Sequence, residues 1–236
     1  MKNTENKPLS WYRERIDLLT EFMTPERCEV LEKTLSMRTE YMTVMAENMF
    51  HGQNAAALIR HCEAFGVQGM HTVESICKFE PSHSVMRGTD QWVDVVRHDT
   101  TSEALAQLKR EGYRIVATTP HREDTTPETF DVGKGKFALI LGTEHAGISP
   151  EVIAEADEFL KIPMCGMVES LNVSASAAIL IYTLSQRIRE QVEDWHLSEE
   201  ERLATLYDWM YKSVKDAPQI LNRRMGDPLP AVEEAK

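Results

Sequence analysis

The stretch MVESLNVSASAAILIY, residues 167–182, sets Glu169, Ser170 and Asn172 directly ahead of a helix that opens on Ser174, Ala175, Ser176, Ala177 and Ala178. A carboxylate, a hydroxyl and an amide at one loop can hold a polar ligand, and the small side chains behind them let two backbones approach closely. Other reactive residue types lack such order. His51, His61, His71 and His83 recur at a spacing of about ten, which puts no two of them on one helix face in adjacent turns and argues against a metal site. Cys28, Cys62, Cys77 and Cys165 form no close pair, which fits neither zinc nor a disulfide framework and predicts free thiols. GKGKFA (133–138) matches a loose Gly-x-Gly-x-x-Ala pattern, but it precedes a strand instead of following one. Gly135-Lys136 is followed by Phe137, so it is not a phosphate-binding P-loop either.

The elements that would position such groups are legible in the pattern. Arg13 to Phe22 form a short amphipathic helix, and Thr24-Pro25-Glu26 starts another: a cap, a proline in the first turn and an acid near the positive end. YMTVMAEN (41–48) reads as a strand. NAAALIRHCEAFG (54–66) reads as a helix with Asn54 as N-cap and Gly66 as its stop. Strands follow at 67–74, 92–96, 114–119, 136–142 and 158–163, separated by a helix over 102–112 and one started by Ser149-Pro150-Glu151. The run KFALILG is continuously apolar, as a strand buried on both faces must be. A helix over 173–193 buries Val173, Ala177, Leu180, Leu184, Ile188 and Val192, and a last helix spans 198–214. Alternation of this kind specifies an α/β fold with a mainly parallel sheet flanked by helices. Ligands of such sheets sit beyond the carboxyl ends of the strands, here the loops after Thr118, Leu141 and Ile162.

The bulk numbers fit one core with helical additions: residues 1–40, a core over 41–193, and 194–236. No apolar run reaches the roughly 20 residues of a membrane span, and the N-terminus lacks the apolar segment of a secretory signal, so a cytoplasmic location is expected. A net charge of −12 disfavours a surface coated in nucleic acid but leaves room for local basic patches, at Arg13 and Arg15 beside Trp11 and Tyr12, at Lys109 and Arg110, and at Arg223 and Arg224.

Three stretches carry a family likeness: NAAALIRHCEAFGV (54–67), ALILGTEHAGIS (138–149) and IPMCGMVESLNVSASAAILIY (162–182). In this order they resemble the three motifs of the SpoU (TrmH) family of RNA ribose 2′-O-methyltransferases, within the SPOUT superfamily. IPMCGMVESLNVS and RIVATT look like its tRNA-modifying branch. The resemblance implies S-adenosylmethionine as cofactor, a homodimer with the site completed across its interface, and a deep C-terminal trefoil knot that chain physics alone would not predict. The small residues after Asn172 then serve the close packing of a threaded segment, although a helix on a sheet explains Ala177 and Ala178 equally well.

The same resemblance assigns roles. Arg60 is the catalytic arginine, and a guanidinium with a pKa above about 12 is better suited to clamp a phosphate and polarise the ribose hydroxyl than to act as a base. Asn54 positions Arg60 or the ribose, or is only a cap. Glu144 interacts with the arginine or shapes its loop, and Ser170 and Asn172 are the polar pair of the third motif. Thr118, Gly142, Ile162, Met164, Gly166 and Leu171 are the expected cofactor contacts. Arg13, Arg15, Arg223 and Arg224 are expected on RNA, with tRNA the first candidate and neither DNA nor membrane a partner. Two alternatives stay open: a ribosomal RNA target, and a dimer that binds RNA without methylating it. About 40 residues before the first core strand are too few for the extra RNA-binding domain that ribosomal members often carry, which favours tRNA.

Overall fold

A computed structural model describes residues 7–119, 125–143 and 146–230. In chain order the elements are α1 (Leu9–Thr20), α2 (Pro25–Leu35), β1 (Met42–Glu47), α3 (Gly52–Phe65), β2 (Gly69–Val73), α4 (His83–Met86), β3 (Asp94–His98), α5 (Thr101–Arg110), β4 (Arg114–Thr118), β5 (Phe137–Leu141), α6 (Pro150–Glu155), β6 (Glu158–Leu160), α7 (Val173–Gln191), α8 (Glu199–Ser213) and α9 (Ala217–Met225). Two compact units result: residues 38–196, and a terminal unit built from the segments before 38 and after 196.

The first unit is a sheet in the order β3-β2-β1-β5-β4-β6, with every neighbouring pair parallel. β1 and β5 lie at its centre and are buried along their whole length. Strand alternation divides their side chains. Met42, Val44 and Ala46 of β1 and Phe137, Leu139 and Leu141 of β5 pack with α3 and α7. Met45, Ala138 and Ile140 point the other way, against Ala104, Leu105 and Leu108 of α5 and Val152 of α6. α3 ends at Gly66, whose left-handed φ of 81° a side chain would oppose. α7 buries Ala177, Leu180, Ile181, Leu184 and Ile188, close to the face expected from the pattern.

Several elements depart from the sequence expectation: α1 runs Leu9–Thr20 and not 13–22, and β6 stops at Leu160 and not 163. The β3 ladder starts at Asp94, whose N–H donates to the Gln68 carbonyl, so Trp92 and Val93 belong to the turn before it. α3 begins at Gly52 with His51 as N-cap, which leaves Asn54 inside the first turn.

Beneath α5, His71 and His98 meet with ring nitrogens 2.9 Å apart, both buried. Burial, then the neighbouring His98, lowers the His71 pKa to about 4, and burial lowers His98 as well. A lowered histidine pKa means the unfolded chain binds the extra proton first, so stability is lost as pH falls from about 6.5 to about 4. For His71 alone the loss at pH 4 is on the order of 3 kcal/mol. Urea denaturation at pH 7 and pH 4 is expected to show it, and His71→Gln should flatten the dependence.

The terminal unit packs α1 and α2 along α8. Thr24 caps α2 by accepting from the Arg27 N–H, and Ser198 with Glu201 forms a reciprocal capping box on α8. Leu18, Leu19, Leu31, Leu203, Leu206 and Trp209 form its buried interior. α9, absent from the sequence expectation, follows Asp216 with Pro218 in its first turn.

Candidate active site

A parallel sheet sends the loops after β4, β5 and β6 out of one end, and β5, β4 and β6 are consecutive neighbours. The 142–149 loop and the 161–172 loop are therefore raised at the same edge. Residues 120–124 and 144–145 lie outside the described residues, and Glu144 is among them.

Two motifs meet directly. Asn172 caps α7, its Oδ1 accepting from the Ser174 N–H at 2.8 Å and from the Ser174 hydroxyl at 2.7 Å. Its Nδ2 reaches back to Asn54 Oδ1 at 3.4 Å. Asn54 is buried, and its side chain serves this tertiary contact; the N-cap reading of Asn54 is corrected accordingly. Seven residues on, at nearly the same angle around α3, stands His61. Burial lowers its pKa, against a hydrogen bond with the Ser174 backbone that raises it. α3 thus presents Asn54 and His61 to the start of α7.

Arg60 points elsewhere. Six residues at ~100° each turn it by roughly 120° from Asn54. It is exposed, and its Nη1 donates to the Val85 carbonyl at 3.1 Å. The arginine is thus turned away from the Asn54 face that meets the start of α7.

The expected cofactor residues divide. Gly142 is fixed by space, since a Cβ there would stand 2.2 Å from the Gly147 carbonyl carbon. Thr143 and Gly147 bond each other in both directions, at 2.9 and 3.1 Å, and close the bend. The Thr118 hydroxyl donates to the Ile140 carbonyl at 2.9 Å, which ties β4 to β5. Ile162 packs against the hydrophobic core, the structural alternative for an apolar residue there. Met164 is half-buried, Gly166 and Ser170 are exposed, and nothing crowds a Cβ at Gly166. Met167, Val168 and Leu171 stand open to solvent. Between Ile162 and Leu171 no backbone–backbone hydrogen bond is made among the described residues. No described cluster of His, Cys, Asp or Glu could hold a metal ion.

Sequence reasoning passed over Glu47. It is a carboxylate with 1% exposure at the end of the central strand, bonded to both Thr101 and Ser149. The available signal was a charge closing an otherwise apolar strand.

Of the basic residues expected on RNA, Arg15 is corrected. It is buried, donates from Nε to Asp227 at 2.8 Å, pairs with the same carboxylate through Nη2, and lies over the Trp11 ring. A guanidinium held this way is not open to a phosphate. Arg13 pairs with Glu199 and Arg224 with Glu21, all exposed. Arg223 is exposed, with no ion-pair partner among the described residues.

Residues 41–182, which hold β1 through the start of α7 and every loop just described, match the SpoU rRNA Methylase family. The chain belongs to that family. Its SpoU relatives include the tRNA (guanosine(18)-2'-O)-methyltransferase of Borreliella burgdorferi, 37% identical over 80% of this chain and 86% of that protein. The enzyme of the same name from Escherichia coli K12 is 32% identical over 90% of this chain and 92% of its own length. Among solved SpoU structures, the TrmH/SpoU tRNA modifying enzyme of A. aeolicus superposes with a TM-score of 0.72 at 30% identity, covering 81% of this chain and 98% of that one. Among the described residues no helix is long and apolar enough to cross a membrane.

Proposed function

We propose that the protein transfers a methyl group from S-adenosylmethionine to the ribose 2′-hydroxyl of guanosine 18 in tRNA, in the cytoplasm. The observation that carries this reading is the Asn54–Asn172 contact, which joins the first and third family motifs in a chain 37% identical to an enzyme of that name. The cofactor fits the residues present. Backbone groups of 162–171, which make no backbone–backbone bond among the described residues, can pair with an adenine edge, and Met167 and Leu171 can cover an apolar ring. When bound, S-adenosylmethionine supplies an electrophilic methyl on a sulfonium, so the leaving group departs neutral and little acid catalysis is needed. The chain has to place the ribose oxygen in line and ease the loss of its proton. Arg60 clamps the adjacent phosphate in forked geometry and polarises the hydroxyl, with the Val85 carbonyl holding the guanidinium.

Arg60 faces away from its own third motif, and Ile179 and Tyr182 of α7 are exposed, as are Met167, Val168 and Leu171. Both features support a homodimer in which Arg60 works with the third-motif loop of the second protomer. The knot is supported by the path of the β4–β5 connection. β6 is paired with β4 on one side and, through the Thr125 bridge to Leu160, with that connection on the other. Arg187 of α7 then donates to the carbonyls of Pro127 and Phe130 at 2.7 and 2.6 Å. Contacts of β6 and α7 with the same connection are what a threaded C-terminal segment requires, and they support that reading.

Methyl transfer from labelled cofactor onto an unmodified tRNA transcript tests the reading. Label is expected at guanosine 18 and absent when that position carries a 2′-deoxyribose; label only on ribosomal RNA, or none, overturns it. RNA grip is assigned to Arg13, Arg223 and Arg224. Binding isotherms over a salt series should show affinity falling steeply, with the log–log slope smaller by roughly 0.7–0.9 for each of Arg223→Ala and Arg224→Ala.

A further inference from the structure

We infer that Glu47 is a positioning residue for the 142–149 loop, a buried carboxylate that sets where α6 begins and so fixes the bend at the cofactor edge. β1 and β5 run in register to Ala46 and Leu141, so Gly142 leaves the sheet beside Glu47, the last residue of β1, which still pairs with Val73 of β2. Glu47 lies two residues past Met45 and takes the same face, toward α5 and α6. There the Thr101 hydroxyl donates to Oε1 at 2.8 Å and the Ser149 N–H donates to Oε2 at 2.9 Å. The next residue, Asn48, turns into the left-handed region at φ 45° and accepts from the Ile76 N–H at 2.8 Å, which carries the chain away toward residues 75–76.

A carboxylate with 1% exposure and no ion pair among the described residues is an expensive choice for packing alone, where an apolar side chain would serve. Its two oxygens are instead shared between two segments distant in sequence. One end of the 142–149 loop is held by β5 and the other by Ser149 on Glu47. Ser149 also caps α6 through the Val152 N–H at 3.2 Å. Gly142 itself lies so close to Gly147 that an added Cβ would meet its carbonyl carbon at 2.2 Å. Releasing Ser149 lets the bend drift without disturbing either helix core. The inference rests on the proposed role of this loop in holding S-adenosylmethionine.

The test measures S-adenosylmethionine Kd by calorimetry, tRNA Kd by filter binding, and amide exchange, in wild type and four variants. Glu47→Ala should raise the cofactor Kd at least about tenfold, leave the tRNA Kd unchanged, and speed exchange chiefly at Gly147, Ile148 and Ser149. Glu47→Gln should recover near-normal binding, because its carbonyl can accept from Ser149 while its NH2 donates to the Thr101 hydroxyl. Thr101→Val should lie between, at a few-fold. If Glu47→Ala does not fold, Thr101→Val and Glu47→Gln still decide. An unchanged cofactor Kd in Thr101→Val, a Gln variant with its cofactor Kd raised tenfold or more, or exchange that rises evenly across the sheet overturns the inference. Gly142→Ala separates the two levels: if it too binds cofactor normally, the loop reading has failed and not the role of Glu47 alone.

Discussion

Arg60→Ala is expected to lower kcat by at least about a thousandfold while S-adenosylmethionine affinity stays within about twofold. The split follows from position. Arg60 is exposed on α3, its bond to the Val85 carbonyl is a surface contact, and among the described residues it makes no hydrogen bond to 142–149 or 161–172. Its removal leaves no buried group unpaired, so the melting temperature should hardly move. Arg60→Lys should recover little, because an ammonium offers a point charge where the phosphate clamp needs a planar fork. If the site is completed across a dimer, a heterodimer of Arg60→Ala with a cofactor-loop variant should regain one working site and about half of the per-dimer turnover. Single-turnover methylation with saturating cofactor and tRNA measures all of this, and wild-type turnover in Arg60→Ala would remove the residue from the mechanism.

The second large effect is expected at Gly142. Even the smallest added side chain puts a Cβ 2.2 Å from the Gly147 carbonyl carbon and 2.3 Å from the Ile148 nitrogen, both backbone atoms that cannot swing aside. Either β5 frays at its end or the 143–147 bend opens and loses the paired bonds between Thr143 and Gly147. Overpacking of this kind costs about 1–3 kcal/mol, and the displaced bend should weaken cofactor binding on the order of a hundredfold. Gly142→Val should be worse than Gly142→Ala. Gly166→Ala is the matched control, because nothing lies within 4 Å of a Cβ there. Titration calorimetry and thermal unfolding on the three variants check the order.

What the sequence made legible, and what it hid, has a physical pattern. Continuous apolar strands and capped helices announce themselves locally: Phe137–Leu141 is buried on both faces as its composition requires, and Thr24 and Ser149 cap α2 and α6 where their prolines place them. Residues whose partners lie far along the chain were misread. Asn54 has the right type for a cap, but a partner 118 residues away takes its side chain. Arg15 looks like a solvated helix position until Asp227, 212 residues distant, closes on it. Glu47 gives no local hint of Ser149, and α9 is a nine-residue helix entered through a left-handed Asp216, with no side-chain cap to announce it. The three motifs carried most of the site, yet their spacing could not say which side chains face a neighbour in the same protomer and which face outward.

The pairing of Thr125 with β6 has a consequence for behaviour at high concentration. β6 is last in the sheet, and a terminal strand normally offers a row of unmet amides and carbonyls to any passing chain. Here the Thr125 N–H takes the Phe159 carbonyl and the Lys161 N–H takes the Thr125 carbonyl, each at 2.9–3.1 Å. At Phe159 and Lys161 that border is already occupied, which blunts strand-to-strand aggregation there. The opposite border, β3, is left to the charges of Asp94 and Arg97 for the same protection.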